Sequence, residues 1–330
     1  MRKKILTLAL SSILLTVVAV LGLFLGSADI SFIDVIRAVF GIDNGDNSVI
    51  ILRSLRLPRV IGGIFAGAAL ATAGLLLQSA TDNDLVAPNV VGINSGAGLS
   101  VMLVLCLFPT LSTLLPLAAF VGAAIAALLV VGLARGAGHS GSPASVVLAG
   151  VAVGALFGAG ISFLSLLYPD ALASYASFSV GGLSGVYFED ITLPMLIIAV
   201  FLVVGFAMTP RLNLLALGDD MAASMGVRVA VLRTLSVLVA AALAASAVSY
   251  VGLIGFVGLM IPHIARRLIG SDNRVLYPLS AILGAALVTL ADILGRVLFA
   301  PTELPCGILI SALGAPFFLF LLIRRRSHDD

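Results

Sequence analysis

Charged residues are missing from long stretches of this chain, and the lengths of those stretches set the first expectation. Uncharged runs cover residues 5–28, 60–81, 191–210, 275–291 and 304–323. Each approaches the ~20 residues that cross a hydrocarbon layer about 30 Å thick at about 1.5 Å per residue. The run 85–134 is too long for one crossing, and Pro109 and Pro116 divide it into two with a turn between them. Residues 136–169 hold a further span after Pro143, and 234–262 another. Nine helical spans are plain from the pattern alone.

The placement of charge asks for a tenth. Arg2, Lys3 and Lys4 open the chain and Arg324, Arg325 and Arg326 close it. Basic flanks mark the cytoplasmic side, so both termini belong there and the number of crossings is even. Arg233 and Arg266 also belong on one side. The 32 residues between them reach about 48 Å as helix, short of the roughly 60 Å that two full crossings need. The hairpin therefore holds one full helix and one short or broken arm around 252–264, punctuated by Gly255, Gly258 and Pro262. Broken backbone at that depth requires protein around it. The expectation is an all-α polytopic membrane protein with ten transmembrane helices, a short eighth span and cytoplasmic N- and C-termini. It forms a single transmembrane domain over 1–330 with a cytoplasmic loop at 211–233. This arrangement puts 13 basic residues inside and five outside: Arg37, Arg53, Arg56, Arg59 and Arg296. The first apolar run could also be a signal peptide, but at 24 residues it exceeds the usual apolar region of about 7–15, which favours an uncleaved helix.

Composition closes off other classes. The chain is 61% apolar and 10% charged, with a mean hydropathy of +1.21. Soluble domains carry about 25% charged residues. A soluble fold, a disordered chain, a nucleic-acid binder and a disulfide-stapled secreted domain are all excluded. With Lys3 and Lys4 the only lysines, no GxxxxGK[ST] loop exists, so the chain cannot itself be a P-loop ATPase. His139, His263, His328, Cys106 and Cys306 show no metal-ligand spacing. Asp292 is the one acidic candidate within a span. Arg296 lies four residues on, so a structural pair competes with a proton relay.

Small residues and one loop carry the remaining local signals. Gly63 and Gly67, and Gly154 and Gly158, are spaced for close helix approach. GAALAT at 67–72 and GAALVT at 284–289 lie on spans of opposite direction. They hint at an inverted repeat, or at coincidence in a Gly- and Ala-rich chain. In 211–233, Gly218 precedes Asp219 and Asp220, which suit a helix start, and Gly226 can end that helix. A short amphipathic helix results, lying on lipid headgroups or docking a cytoplasmic protein.

Six segments in order then become specific. They are RLPR at 56–59, GAALATAGLLLQ at 67–78, LVAPNVVGINSGAG at 85–98, LLALGDDMAASMGV at 214–227, VGLIGFVGLMIPHIARRLIG at 251–270 and ELPCGILISALGAPFFLFLL at 303–322. The set resembles the ten-span, FecCD-like permease subunits of ABC importers for iron-siderophores, haem and cobalamin, over nearly the whole chain. The resemblance implies a bacterial cytoplasmic-membrane complex of two permeases, as a homodimer or related heterodimer, two cytoplasmic ATPases and an extracytoplasmic substrate-binding protein. It implies no catalysis and no cofactor in this chain, with ATP and Mg used by the ATPase partner. It further implies a pathway at the permease–permease interface, lined by the fifth and tenth spans.

The same resemblance assigns residues. Arg56, Arg59 and Arg296 match positions that pair with acidic groups of the binding protein; the other reading is that they cap helices or meet headgroups. Leu215, Leu217, Gly218, Asp219, Asp220, Ala222, Met225, Gly226 and Val227 match the loop that couples to the ATPase. Ser140, Ser142 and Ser145 form a candidate cytoplasmic gate. The family's RNPLA is replaced by TDNDLVAP, with Asp82 for the arginine and Asp84 for the proline, and Cys306 stands where a small aliphatic residue is usual. The expected function is import of an iron chelate, a ferric siderophore first and haem or cobalamin next. An ATP-independent carrier and a membrane scaffold are the rival classes.

Overall fold

The computed structural model describes residues 2–26, 31–40, 46–89, 91–136, 143–298, 300 and 302–329, and the regular structure among them is helical throughout. In chain order the helices are α1 (Arg2–Phe24), α2 (Phe32–Phe40) and α3 (Asn47–Ile51). A π-helical turn, Leu52–Arg56, carries α3 into α4 (Leu57–Thr81). Then come α5 (Ile93–Leu107), α6 (Leu115–Gly136), α7 (Pro143–Leu167), α8 (Pro169–Val180) and α9 (Phe188–Leu215). The chain ends with α10 (Asp219–Ser224), α11 (Val229–Val251), α12 (Val257–Ile269), α13 (Asn273–Val297) and α14 (Cys306–Asp329).

Seven of these are long and apolar enough to cross a bilayer: α1, the continuous Asn47–Thr81 unit, α6, α7, α9, α11 and α13. The apolar helices α5 and Cys306–Leu319 are shorter. Pro109 falls in the turn after α5 and Pro116 in the first turn of α6, as their missing amides predict. Large apolar side chains such as Leu148, Leu156 and Leu166 on α7 and Leu196 and Val203 on α9 stand exposed. No soluble domain could carry that rim, and the chain is a multi-pass membrane protein.

The axis of the bundle is α4, which packs against α13, α11, α12 and α9. Every residue from Ala66 to Gln78 is buried. Small side chains make this possible. A Cβ on Gly67 would strike the Gly284 carbonyl and come within 2.8 Å of Ala285 Cα, and one on Gly284 would strike Gly67. The GAALAT and GAALVT segments therefore lie on one another, as the two surfaces of the α4–α13 crossing. Gly74 meets the Gly258 backbone in the same way. Without a hydrophobic drive between helices in lipid, such backbone approach is a main source of cohesion.

The α11–α12 hairpin has the expected inequality: 23 residues in one arm and 13 in the other. Between them residues 252–256 leave helical geometry, with Gly252 at φ 72° and Phe256 at φ 64°. Neighbouring backbone supplies the missing partners. The Leu253 amide donates to Phe178 O at 3.0 Å, the Gly182 amide to Val251 O at 2.8 Å, and the Gly307 amide to Gly181 O at 3.1 Å. The C-terminus of α8 thus seals the break, which is the protein surround that broken backbone in lipid needs.

Candidate functional site

Polar side chains gather at two places in the bundle. One lies where α4, α9 and α12 end and α11 and α13 begin. Lys4 meets Asp272 at 3.5 Å, and Asn213 donates to Asp272 at 2.8 Å while accepting from the Asn273 amide at 2.8 Å. The Asn213 hydrogen bond, ahead of the neighbouring Arg274 amide and Lys4, holds the Asp272 carboxyl below its ordinary range despite some burial. These bonds fix the N-terminus of α13 against α9 and α1.

The loop 215–227 hangs from this end. Gly218 (φ 100°) and Gly226 (φ 85°) bracket α10 in conformations that side chains resist. The Asp219 carboxylate receives two bonds from Arg233, at 2.7 and 2.8 Å, and Arg233 Nε donates to Ala80 O at 3.0 Å. A single guanidinium on α11 therefore ties α10 to the end of α4. Leu215, Ala222 and Val227 are buried and root the loop, while Leu217, Met221 and Met225 are each more than half exposed. Asp220 is exposed beside them. The expected short helix is present with the expected boundaries. Sequence reasoning singled out neither Met221, which completes the exposed apolar ridge, nor Arg233 as the anchor. Met221 was legible, since it lies four residues after Leu217 and four before Met225.

Asp82 and Asp84, the two departures in the TDNDLVAP stretch, have structural roles. Asp82 ends α4 in the left-handed region at φ 46°, a conformation that short acidic side chains tolerate. Asp84 is ion-paired with Arg266 of α12, whose other nitrogen reaches Gln78 Oε1 at 3.3 Å. Gln78 in turn donates to Gly258 O at 3.1 Å. A cavity of about 860 Å³ opens between this loop and the first turns of α7. Of the candidate gate residues, Ser140 and Ser142 lie outside the described residues, and Ser145 sits half-buried in the first turn of α7.

The second polar cluster brings Arg56, Arg59 and Arg296 together, and two of them take the helix-capping alternative. Arg56 is 5% exposed and donates to Leu23 O and Phe24 O, both at 2.8 Å. Arg296 is 7% exposed and donates to Gly22 O at 3.1 Å. Both cap the unsatisfied carbonyls that close α1. Arg59 grips buried Asp292 through Nε at 2.9 and 3.0 Å and Glu303 through a second nitrogen at 2.8 Å. Asp292 thus has Arg59 as its main partner. Arg296, the partner expected from spacing, stands at 3.3 Å as a charge contact. Ser184 donates to Glu303 at 3.1 Å. Burial pushes the Glu303 carboxyl up, but the Arg59 and Ser184 hydrogen bonds outweigh it and hold it below the usual range. Glu303, a participant the sequence reading left out, is the exposed member of the set. Two carboxylates against three guanidiniums leave the cluster one positive charge in excess.

Similarity to known proteins runs the length of the chain. The FecCD transport family model matches residues 14–324. The Fe(3+)-citrate import system permease protein YfmE of Bacillus subtilis (strain 168) is 38% identical over 322 residues, covering 97% of this chain and 96% of that protein. The hemin transport system permease protein HmuU of Yersinia pestis is 36% identical over 322 residues, covering 96% and 95%. Among solved structures, an inward-facing metal-chelate type ABC transporter superposes with a TM-score of 0.84 at 28% identity, covering 96% of this chain and 98% of that one.

Proposed function

Because the chain belongs to the FecCD transport family, we infer that it is the permease subunit of an ABC importer and that its cargo is a ferric chelate. It carries no reaction; it offers a path whose two ends open in turn. Full-length kinship with a ferric-citrate permease carries this reading, and kinship with a hemin permease keeps haem as the second cargo. The helix inventory accommodates ten crossings if α5, α12 and α14 are counted with the seven long apolar helices, and both termini then lie in the cytoplasm of a bacterial inner membrane.

A second permease, a copy or a relative, completes the path. Two cytoplasmic ATPases using ATP and Mg bear on the ridge of Leu217, Met221 and Met225. Asp219 and Arg233 pass their motion to α4 and α11, with Leu215, Gly218, Asp220, Ala222, Gly226 and Val227 shaping the loop. An extracytoplasmic binding protein docks at the opposite end. There Arg56 and Arg296 hold the fold, and Arg59, bound to both Asp292 and Glu303, lies beside Glu303, the exposed member of the cluster. The test is uptake of a ferric chelate by proteoliposomes containing the complete importer. Uptake should require ATP, the ATPase and the binding protein. Uptake by this chain unaided would identify a secondary carrier instead.

A further inference from the structure

A cavity of about 260 Å³ lies between the last turns of α9 and the first turns of α11, beside the loop that carries α10. Its polar lining consists of Arg211 and Arg228. Both side chains are exposed, and neither makes an ion pair among the described residues. No carboxylate lines the cavity. The rest of the wall is apolar, including Met208, Val231 and Leu235. Val231 and Leu235 are each nearly half exposed, and Val204, one turn before Met208, is 40% exposed. The two arginines therefore sit at the head of an apolar track that runs from the polar end of the bundle onto lipid-facing surfaces of α9 and α11.

We propose that this groove binds one anionic phospholipid, its phosphate between Arg211 and Arg228 and an acyl chain along Met208, Val231 and Leu235. At one cavity, two cations without a protein partner among the described residues attract an anion. The continuous apolar track selects an anion with a hydrocarbon tail over a soluble phosphate or a protein carboxylate. Basic pockets between membrane helices at the cytoplasmic surface meet the leaflet in which anionic lipid attracts them. Arg228 caps no group of its own at the start of α11, so the first amides of that helix add to the positive field. The site adjoins the Gly226 turn, so a bound lipid would brace the root of α10 from the bilayer side.

The full-length protein, stripped of lipid in detergent, is titrated with dioleoyl-phosphatidylglycerol, dioleoyl-phosphatidylcholine and inorganic phosphate. Adducts are read by native mass spectrometry. Each arginine near an anionic headgroup changes binding about fivefold, so Arg211→Gln with Arg228→Gln should weaken phosphatidylglycerol binding roughly 25-fold. Phosphatidylcholine binding should be unchanged, and so should the unfolding midpoint without lipid. Equal binding of the two lipids to the wild type overturns the site, as does undiminished phosphatidylglycerol binding by the variant. Competition by inorganic phosphate at equal concentration would show a headgroup-only anion site and overturn the acyl track. If the variant keeps its lipid adduct and loses the ATPase subunit on co-purification, the arginines serve a protein surface and the proposal fails. None of these readouts depends on transport.

Discussion

Gly67→Ala is the sharpest probe of how this bundle is held. The added methyl would lie 2.6 Å from Gly284 C and 2.8 Å from Ala285 Cα, and closer still to the Gly284 carbonyl oxygen. All three are on α13 backbone and cannot rotate away. Ordinary carbon contacts lie at about 3.5–4.0 Å, so α4 and α13 must part by roughly 1 Å. A gap of that size forfeits about a quarter to a half of the attraction between facing atoms. It also stretches the Arg59–Asp292 bonds, now 2.9 and 3.0 Å, which join the same two helices. Overpacking of a tight core costs about 1–3 kcal/mol, and with backbone on both sides the upper figure applies. For a chain of this length that is a fall of about 5 °C in the unfolding midpoint. Gly132→Ala is the control: nothing lies within 4 Å of its methyl, and alanine favours a helix by up to about 1 kcal/mol over glycine. The measurement is thermal unfolding of both variants in the same detergent. A Gly67→Ala protein that melts with Gly132→Ala would refute the close crossing.

Two further outcomes follow from the polar ends. Asp219→Ala removes both acceptors from Arg233 while leaving Arg233 its bond to Ala80 O. Half-exposed Asp219 makes the change worth about 1 kcal/mol in stability, yet the link from α10 to α4 is lost. Assembled importer should keep hydrolysing ATP while uptake falls at least tenfold, and normal uptake would remove Asp219 from the coupling route. Glu303 is held below its unfolded value of about 4.3, so its contribution is complete above that pH and disappears as pH falls through the lower folded value. The Glu303 contribution to the unfolding midpoint should be complete above about pH 5 and fall away below about pH 4. That acid drop should shrink in Glu303→Gln; an unchanged drop would dissociate Glu303 from the cluster.

Where sequence reasoning succeeded, the determinants were local. The distance between Arg233 and Arg266 compelled a short arm, and α12 is that arm. Gly218, the two aspartates and Gly226 bounded α10 without reference to any other part of the chain. The reading was incomplete where partners are remote. Arg59 meets Asp292 across 233 positions, whereas helix periodicity offers only Arg296. Nothing in RLPR reveals that α1 ends in three open carbonyls nearby, which is why Arg56 and Arg296 face inward. Helices α2, α3 and α8 and the π-helical turn lie in segments that read as loops, because their apolar runs are too short to register as spans. The likeness of 67–72 to 284–289 was visible, but its meaning as a shared contact was not.

The seal over the α11–α12 break bears on biogenesis. A nascent chain leaves the ribosome in sequence order, and unbonded peptide groups are costly once they enter hydrocarbon. The acceptor for the Leu253 amide is Phe178 O, and the acceptor for the Gly307 amide is Gly181 O. Both acceptors belong to chain that has already been synthesised. The irregular turn and the final helix each arrive to find an acceptor already in place, while the Gly182 amide waits for the Val251 carbonyl to complete the seal.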